Sequence, residues 1–327
     1  MKQPHKNSFR FFCMLLSLLF RIAIPAESIA SDPPVAGWHR GNVASFQENS
    51  RKAIVKALDS EVPNIEVDII DFINEDGKRV GLLTHDYMMK RITGAKGKFG
   101  EHNSLPELGL NRANPNLPPE SFMSVLSLFE LLREKKDAGT IPTVSLDMKE
   151  EGRQGKEFGR WVGRLIKEFG FEKHVFASSF YPSNVKGVKE ECPDCMVGGL
   201  VFNDHWALKL LNPHYSSLDL SPMSKATFLF GYLFKKEFSH DFVLIQDDIL
   251  FQQPELAAYW RNTRHVKFVG VFTYEKFRPY SEQEWQILQT ADWLEIDPVQ
   301  MNQYMENYKI IPENQKQLSI QPKTATK

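Results

Sequence analysis

Short apolar runs rich in β-branched residues alternate along this chain with longer segments whose apolar positions recur every three to four residues. Strand-length runs fall at 35–39, 64–70, 80–84, 142–148, 174–179, 196–201, 242–246, 266–272 and 292–296. Amphipathic segments of helical length fall at 46–59, 119–136, 154–170, 183–190, 253–262 and 281–290. The first of these opens with Ser45-x-x-Glu48, read as a capping box, and carries Phe46, Ala53, Ile54, Ala57 and Leu58 at helical spacing. Such alternation predicts a parallel sheet covered by helices. Between the second and third runs lies only "DFINEDGKR", too short for the crossover a parallel pair needs, and its Glu-Asp-Gly reads as a tight turn. The third run is therefore a hairpin-like excursion after strand 2. The other eight predict a (β/α)8 TIM-type barrel, with an open doubly wound sheet as the alternative.

Two stretches interrupt this rhythm. Residues 94–118, rich in Gly, Asn and Pro, read as a long rim loop. Residues 203–240 form an insertion between the sixth and seventh runs, and its apolar "ATFLFGYLF" (226–234) reads as a packed lid or helix in preference to a membrane contact. The ends of the chain depart from the pattern as well. Lys2, Lys6 and Arg10 precede the short apolar run "FFCMLLSLLF", and Ser28 and Ala30 supply small residues for cleavage. Residues 1–30 are expected to be a signal peptide, with no stable transmembrane anchor, since a span needs roughly 20 apolar residues. The barrel is then expected over 31–310, followed by a polar tail over 311–327, in an exported protein.

Composition narrows the partners. The formal charge of −1 becomes −4 once Lys2, Lys6, Arg10, Arg21 and Glu27 are removed with the leader. A mildly acidic chain is a poor nucleic-acid binder. Cys192 and Cys195, in "CPDC", stand without a second pair, and export favours a local disulfide over redox or zinc chemistry. The sequence leaves the oligomeric state open.

The polar residues of greatest chemical potential sit at strand ends. His39 and Arg40 close the first strand, and His85 and Asp86 close the excursion. Glu66 and Asp68, two apart on the second strand, project to one face, and Asp147 and Lys149 repeat that spacing in "SLDMK". Three inward carboxylates repel one another unless a hard divalent cation, Ca²⁺ or Mg²⁺, is held among them. Two histidines beside such a cation offer a general acid and a general base near neutral pH. Arg40 and Lys149 add positive charge suited to a phosphate. Together these groups point to cleavage of a phosphate ester.

The blocks "HRG…ENS" (39–50), "IEVDI" (65–69), "DG…THD" (76–86), "RITGAKG" (91–97) and "SLDMK" (145–149) resemble, in order and spacing, the glycerophosphodiester phosphodiesterases. These belong with the phosphatidylinositol-specific phospholipase C-like phosphodiesterase barrels. The likeness continues more faintly through "ASSF" (177–180) to "DWLEIDPVQ" (292–300). It implies His39 and His85 as the acid/base pair, Arg40 and Lys149 on the phosphate, and Glu66, Asp68 and Asp147 on the cation. The implied substrate is a small phosphodiester cleaved to an alcohol and a glycerol phosphate. A lysolipid substrate and a non-catalytic phosphate-binding barrel are the alternatives. Phe180 is a candidate for the alcohol pocket, with core packing as its other reading. Three departures stand out: Asp147 replaces the usual glutamate, "VFTYEK" (271–276) stands where the family commonly shows Trp-Thr-Val-Asn, and "EIDPV" lacks the usual threonine.

Overall fold

Residues Asn64–Ile70 are buried along their whole length, as a strand covered on both sides of a parallel sheet must be. Ile65, Val67 and Ile69 enter the large hydrophobic layer between strands and helices. The alternate positions Glu66 and Asp68 face the barrel interior, where they meet Asp147 of a neighbouring strand. The computed structural model describes residues 34–308, apart from 42–44, 61–62, 103, 138–140, 151, 202–239, 265 and 274–277. The expected signal peptide, the 203–240 insertion except for His240, and the C-terminal tail lie outside the described residues.

Each of the nine predicted strands is present. They are β1 (Val35–Trp38), β2 (Asn64–Ile70), β3 (Leu82–Leu83), β4 (Thr143–Met148), β5 (Val175–Ser179), β6 (Val197–Val201), β7 (Phe242–Gln246), β8 (Phe268–Phe272) and β9 (Trp293–Ile296). Eight run parallel in the closed order β1-β2-β4-β5-β6-β7-β8-β9, with β1 pairing to both β2 and β9. The ninth, β3, is the hairpin excursion: it pairs antiparallel to the end of β2, Leu83 opposite Ile69. This is the (β/α)8 barrel, and the doubly wound alternative falls.

The barrel interior divides in two. On one side Phe176, Phe242, Phe268 and Trp293 pack together, with Phe242 and Phe268 stacked at 4.6 Å between centroids. Gly198 on β6 makes that possible, because a Cβ there would fall 2.2 Å from the Phe242 ring. On the other side, β1, β2, β4 and the end of β9 carry the charged residues.

The helices are α1 (Arg51–Asp59), α2 (Met89–Thr93), α3 (Val125–Asp137), α4 (Gly152–Phe169), α5 (Pro182–Glu191), α6 (Asp247–Gln252), α7 (Leu256–Arg264), α8 (Glu282–Leu288) and α9 (Pro298–Asn307). The capping box expected at Ser45 and Glu48 is not formed. The first helix starts five residues after its expected 46, with Ser50 as its cap, whose Oγ accepts the Ala53 N–H at 3.2 Å. Glu48 is drawn into ion pairs instead, which outweigh a single cap bond at this position. Residues 94–118 hold two 3₁₀ turns and cover a satellite core of Ile70, Phe72, Leu82, Met89, Ile92 and Phe99. Cys192 and Cys195 form the expected disulfide after α5. Among the described residues no helix is long and apolar enough to cross a membrane.

One helix contact bears directly on the site. Asn184 of α5 donates to the carbonyls of Met148 at 3.1 Å and Glu150 at 2.7 Å, holding the chain on either side of Lys149. Helix α4 can approach α5 this closely because Gly159 has no side chain; its Cβ would lie 2.1 Å from the Asn184 carbonyl oxygen. Gly159→Ala is therefore expected to lower stability by about 1–3 kcal/mol, since backbone atoms cannot step aside. Urea denaturation of the variant would check this, and an unchanged midpoint would contradict the packing argument.

Candidate active site

The turn after β1 is built under strain. Arg40 and Asn49 both occupy left-handed backbone, with φ of 54° and 57°. That turn aims the Arg40 N–H at Glu66 Oε2 (2.7 Å), and the Asn49 N–H closes the loop on the Arg40 carbonyl at 3.0 Å. Asn49 then brackets Asp68, receiving its N–H and donating to its Oδ2 at 2.9 Å. Strain of this kind, ~1–3 kcal/mol per residue, persists where surrounding contacts over-determine it.

The carboxylates of Glu66, Asp68 and Asp147 each offer an oxygen within 4.8 Å of the others, and all three are buried. Arg40 Nε lies 3.2 Å from Asp68 Oδ2, and Lys149 Nζ lies 2.8 Å from Asp68 Oδ1 while also pairing with Asp147. His39 Nε2 is 3.9 Å from Glu66. The excursion brings in His85: the Thr84 N–H donates to the Asp68 carbonyl at 3.1 Å, so the next residue lies at the same mouth. Phe180 follows β5, with its ring centroid 5.7 Å from Lys149 Nζ and its edge toward Phe272. It stands beside the site instead of deep in the core.

The seven charged and histidine residues expected from the sequence thus converge on one end of the barrel. Further groups join them. Asp297 sits at the N-cap of α9, yet its carboxylate meets His39 Nδ1 at 3.1 Å and makes no cap bond. Asp86 accepts from His85 Nδ1 at 2.6 Å, and Glu48 takes Arg40 Nη1 at 3.1 Å. Glu295 is buried two residues before Asp297. The "WLEID" spacing repeats the alternation that marked Glu66 and Asp68, so this signal was present in the sequence.

Charge balance explains the electrostatics. Among Glu66, Asp68, Asp147, Glu295, Arg40 and Lys149 the carboxylates outnumber the cations by two. Burial, followed by Asp68, Glu295 and Asp147, pushes the Glu66 carboxyl well above its ordinary range. Burial would also raise Asp68, but Lys149, His85, Arg40 and His39 outweigh it and hold Asp68 well below. Burial opposes the Arg40 and Lys149 charges, and the adjacent carboxylates raise both pKa values all the same. Burial keeps the His85 imidazole below the usual histidine value.

A hard divalent cation fits this donor set. The donors are oxygen atoms of three carboxylates, and Asp147 Oδ1 is buried without a hydrogen-bond partner. Glu66, Asp68 and Asp147 would hold the ion, and its two positive charges match the local surplus of negative charge.

Glu295 yields a pH prediction. Burial, then Asp147 and Asp68, push its carboxyl up to about 8. The folded state then keeps a proton that the unfolded chain releases near 4.5. Stability is therefore lost as pH rises from 4.5 through 8, by an amount on the order of 5 kcal/mol. In chelator, Glu295→Gln is expected to remove this share of the decline and leave the part that the raised Glu66 carboxyl contributes. Melting temperatures of both proteins across that range would decide, and parallel curves would contradict it.

A closed eight-stranded parallel barrel thus gathers three buried carboxylates, two histidines and two cations at one mouth. No protein-family model matches the chain. A glycerophosphodiester phosphodiesterase of Caldanaerobacter subterraneus subsp. tengcongensis is 28% identical over 193 residues, covering 55% of this chain and 75% of that protein. The crystal structure of a glycerophosphodiester phosphodiesterase from Thermotoga maritima matches with a TM-score of 0.55 at 18% identity, over 84% of this chain and 99% of that one. An Oleispira antarctica phosphodiesterase, solved in complex with the product sn-glycerol-3-phosphate, matches with a TM-score of 0.57 at 16% identity, over 84% and 97%. In sequence and in fold this chain resembles the glycerophosphodiester phosphodiesterases, as its motifs indicated.

Proposed function

We propose that the protein is a cation-dependent phosphoric diester hydrolase that cleaves glycerophosphodiesters to an alcohol and a glycerol phosphate. The observation that carries this reading is the convergence of Glu66, Asp68 and Asp147 between His39 and His85, with Arg40 and Lys149 alongside. Glu66, Asp68 and Asp147 would hold a divalent cation, Ca²⁺ or Mg²⁺, which would supply Lewis-acid polarisation of a phosphoryl oxygen. Arg40 and Lys149 neutralise the remaining phosphate charge and orient it. Asp297 and Asp86 each engage the Nδ1 of a histidine, which leaves Nε2 of His39 and of His85 to take up or deliver a proton. One imidazole deprotonates the attacking water as its oxygen bonds to phosphorus, and the other protonates the alcohol oxygen as its bond to phosphorus breaks.

A lysolipid substrate is the second reading, and the apolar edge of Phe180 and Phe272 beside Lys149 favours it. A release assay on the purified protein tests both, using glycerophosphocholine and lysophosphatidylcholine with Ca²⁺, Mg²⁺ or EDTA. Turnover that needs a divalent cation is expected. Ligand binding without turnover, or turnover indifferent to EDTA, would overturn the proposal. The basic and apolar leader of residues 1–30 and the Cys192–Cys195 disulfide support export, with residues 31–310 as the catalytic domain. Amino-terminal sequencing of the mature protein tests this; a retained Met1 would contradict it.

A further inference from the structure

The "RITGAKG" stretch is held in place with more care than a rim loop requires. Met89 and Ile92 are both 1% exposed in the satellite core, on either side of Arg91. The Gly97 carbonyl accepts the Met89 N–H at 3.0 Å, and Gly94 ends α2 in left-handed backbone with φ of 80°. The segment therefore fixes the backbone of Arg91, whose side chain is not part of that core.

That side chain spans two carboxylates. Arg91 Nε donates to Asp86 Oδ2 at 2.6 Å, and Nη2 donates to Asp86 Oδ1 at 3.2 Å and to Glu48 Oε1 at 2.6 Å. Asp86 in turn engages His85 Nδ1 at 2.6 Å, and Glu48 engages Arg40 Nη1 at 3.1 Å. A single guanidinium thus stands behind the orienting partner of a histidine and the orienting partner of the phosphate-side arginine. The two branches come from different parts of the chain, the excursion and the β1–α1 turn, and Arg91 ties them together from outside the carboxylate cluster.

We propose that Arg91 is a positioning residue that sets the orientation of both His85 and Arg40, making the excursion after β2 part of the catalytic apparatus. The proposal rests on the roles given above to His85 and Arg40. A planar fork with fixed N–H directions can serve two carboxylates at once, whereas a lysine ammonium presents a single point charge. Without the fork, Asp86 is free to rotate from Nδ1 of His85, and Glu48 is free to draw Arg40 away from Asp68.

The test uses the full-length protein with its cation. Arg91→Ala is expected to lower kcat on glycerophosphocholine at least ~10-fold through misorientation of His85, and to raise KM several-fold through Arg40. Arg91→Lys should recover only part of either. Millimolar methylguanidinium should restore much of the kcat of Arg91→Ala, which a general loss of structure would not allow. In parallel, nitrogen-15 spectra of the histidines should show the Nδ1–H tautomer of His85 in the wild type and its loss in Arg91→Ala. Wild-type kcat and KM in Arg91→Ala would overturn the proposal. So would a loss without rescue and with an unchanged His85 signal. If the wild type turns over no glycerophosphodiester, the functional reading fails separately. The His85 spectra still judge Arg91: a changed tautomer upholds its positioning role and an unchanged one removes it.

Discussion

Asp68→Asn is expected to lower turnover at least ~10³-fold, the several kcal/mol that a cation contributes to charge stabilisation. It is also expected to cost about 3–5 kcal/mol of stability, because it takes one carboxylate partner from each of Arg40 and Lys149 in a buried site and leaves them only Glu48 and Asp147. The sign follows from the direction of the shift. Asp68 is held well below its ordinary 3.8, so its contribution is present above that pH and is lost as pH falls through the lowered value. Glu66→Gln makes the informative contrast. Glu66 is pushed up by burial and by its acidic neighbours, so removing its charge should leave the cation-free protein at least as stable as the wild type. Both variants should lose activity, and both should lose the thermal stabilisation that Ca²⁺ or Mg²⁺ brings. Melting curves in EDTA and in cation measure this directly. Equal stability of the two variants in EDTA would refute the charge account given for this site.

The second large effect concerns the histidines. His39→Ala and His85→Ala are each expected to cut kcat at least ~10²-fold with folding intact, since one acid/base group commonly contributes that much. Neither ring belongs to the hydrophobic core, so secondary structure and melting temperature should hold. Asp297→Asn should have a smaller effect, about 10-fold, because it leaves the His39 imidazole present but less firmly oriented. Near-wild-type turnover in both alanine variants would remove the acid/base assignment while leaving the cation site untouched.

Strand content was legible because burial on both faces forces long apolar, β-branched runs, and each of the nine runs marks a strand. The excursion was legible from length alone, since nine residues cannot carry a parallel crossover. Helix starts were less so. Ser45-x-x-Glu48 satisfied a local capping pattern, but Glu48 gains more from Arg40 and Arg91 than from a helix terminus. Three further helices, Met89–Thr93, Asp247–Gln252 and Pro298–Asn307, carry weak or short periodicity and declare themselves only through tertiary packing.

On its own, the sequence determined the barrel and the seven side chains that gather at one end of it, because alternation along a strand decides which residues share a face. Tertiary structure alone decided how those side chains are supported. Asp297 is 258 residues from the histidine it holds, and Glu48 is 43 from the arginine it meets. Pairings of that kind depend on where the closed ring brings distant strand ends together, and no local pattern encodes the distance between them.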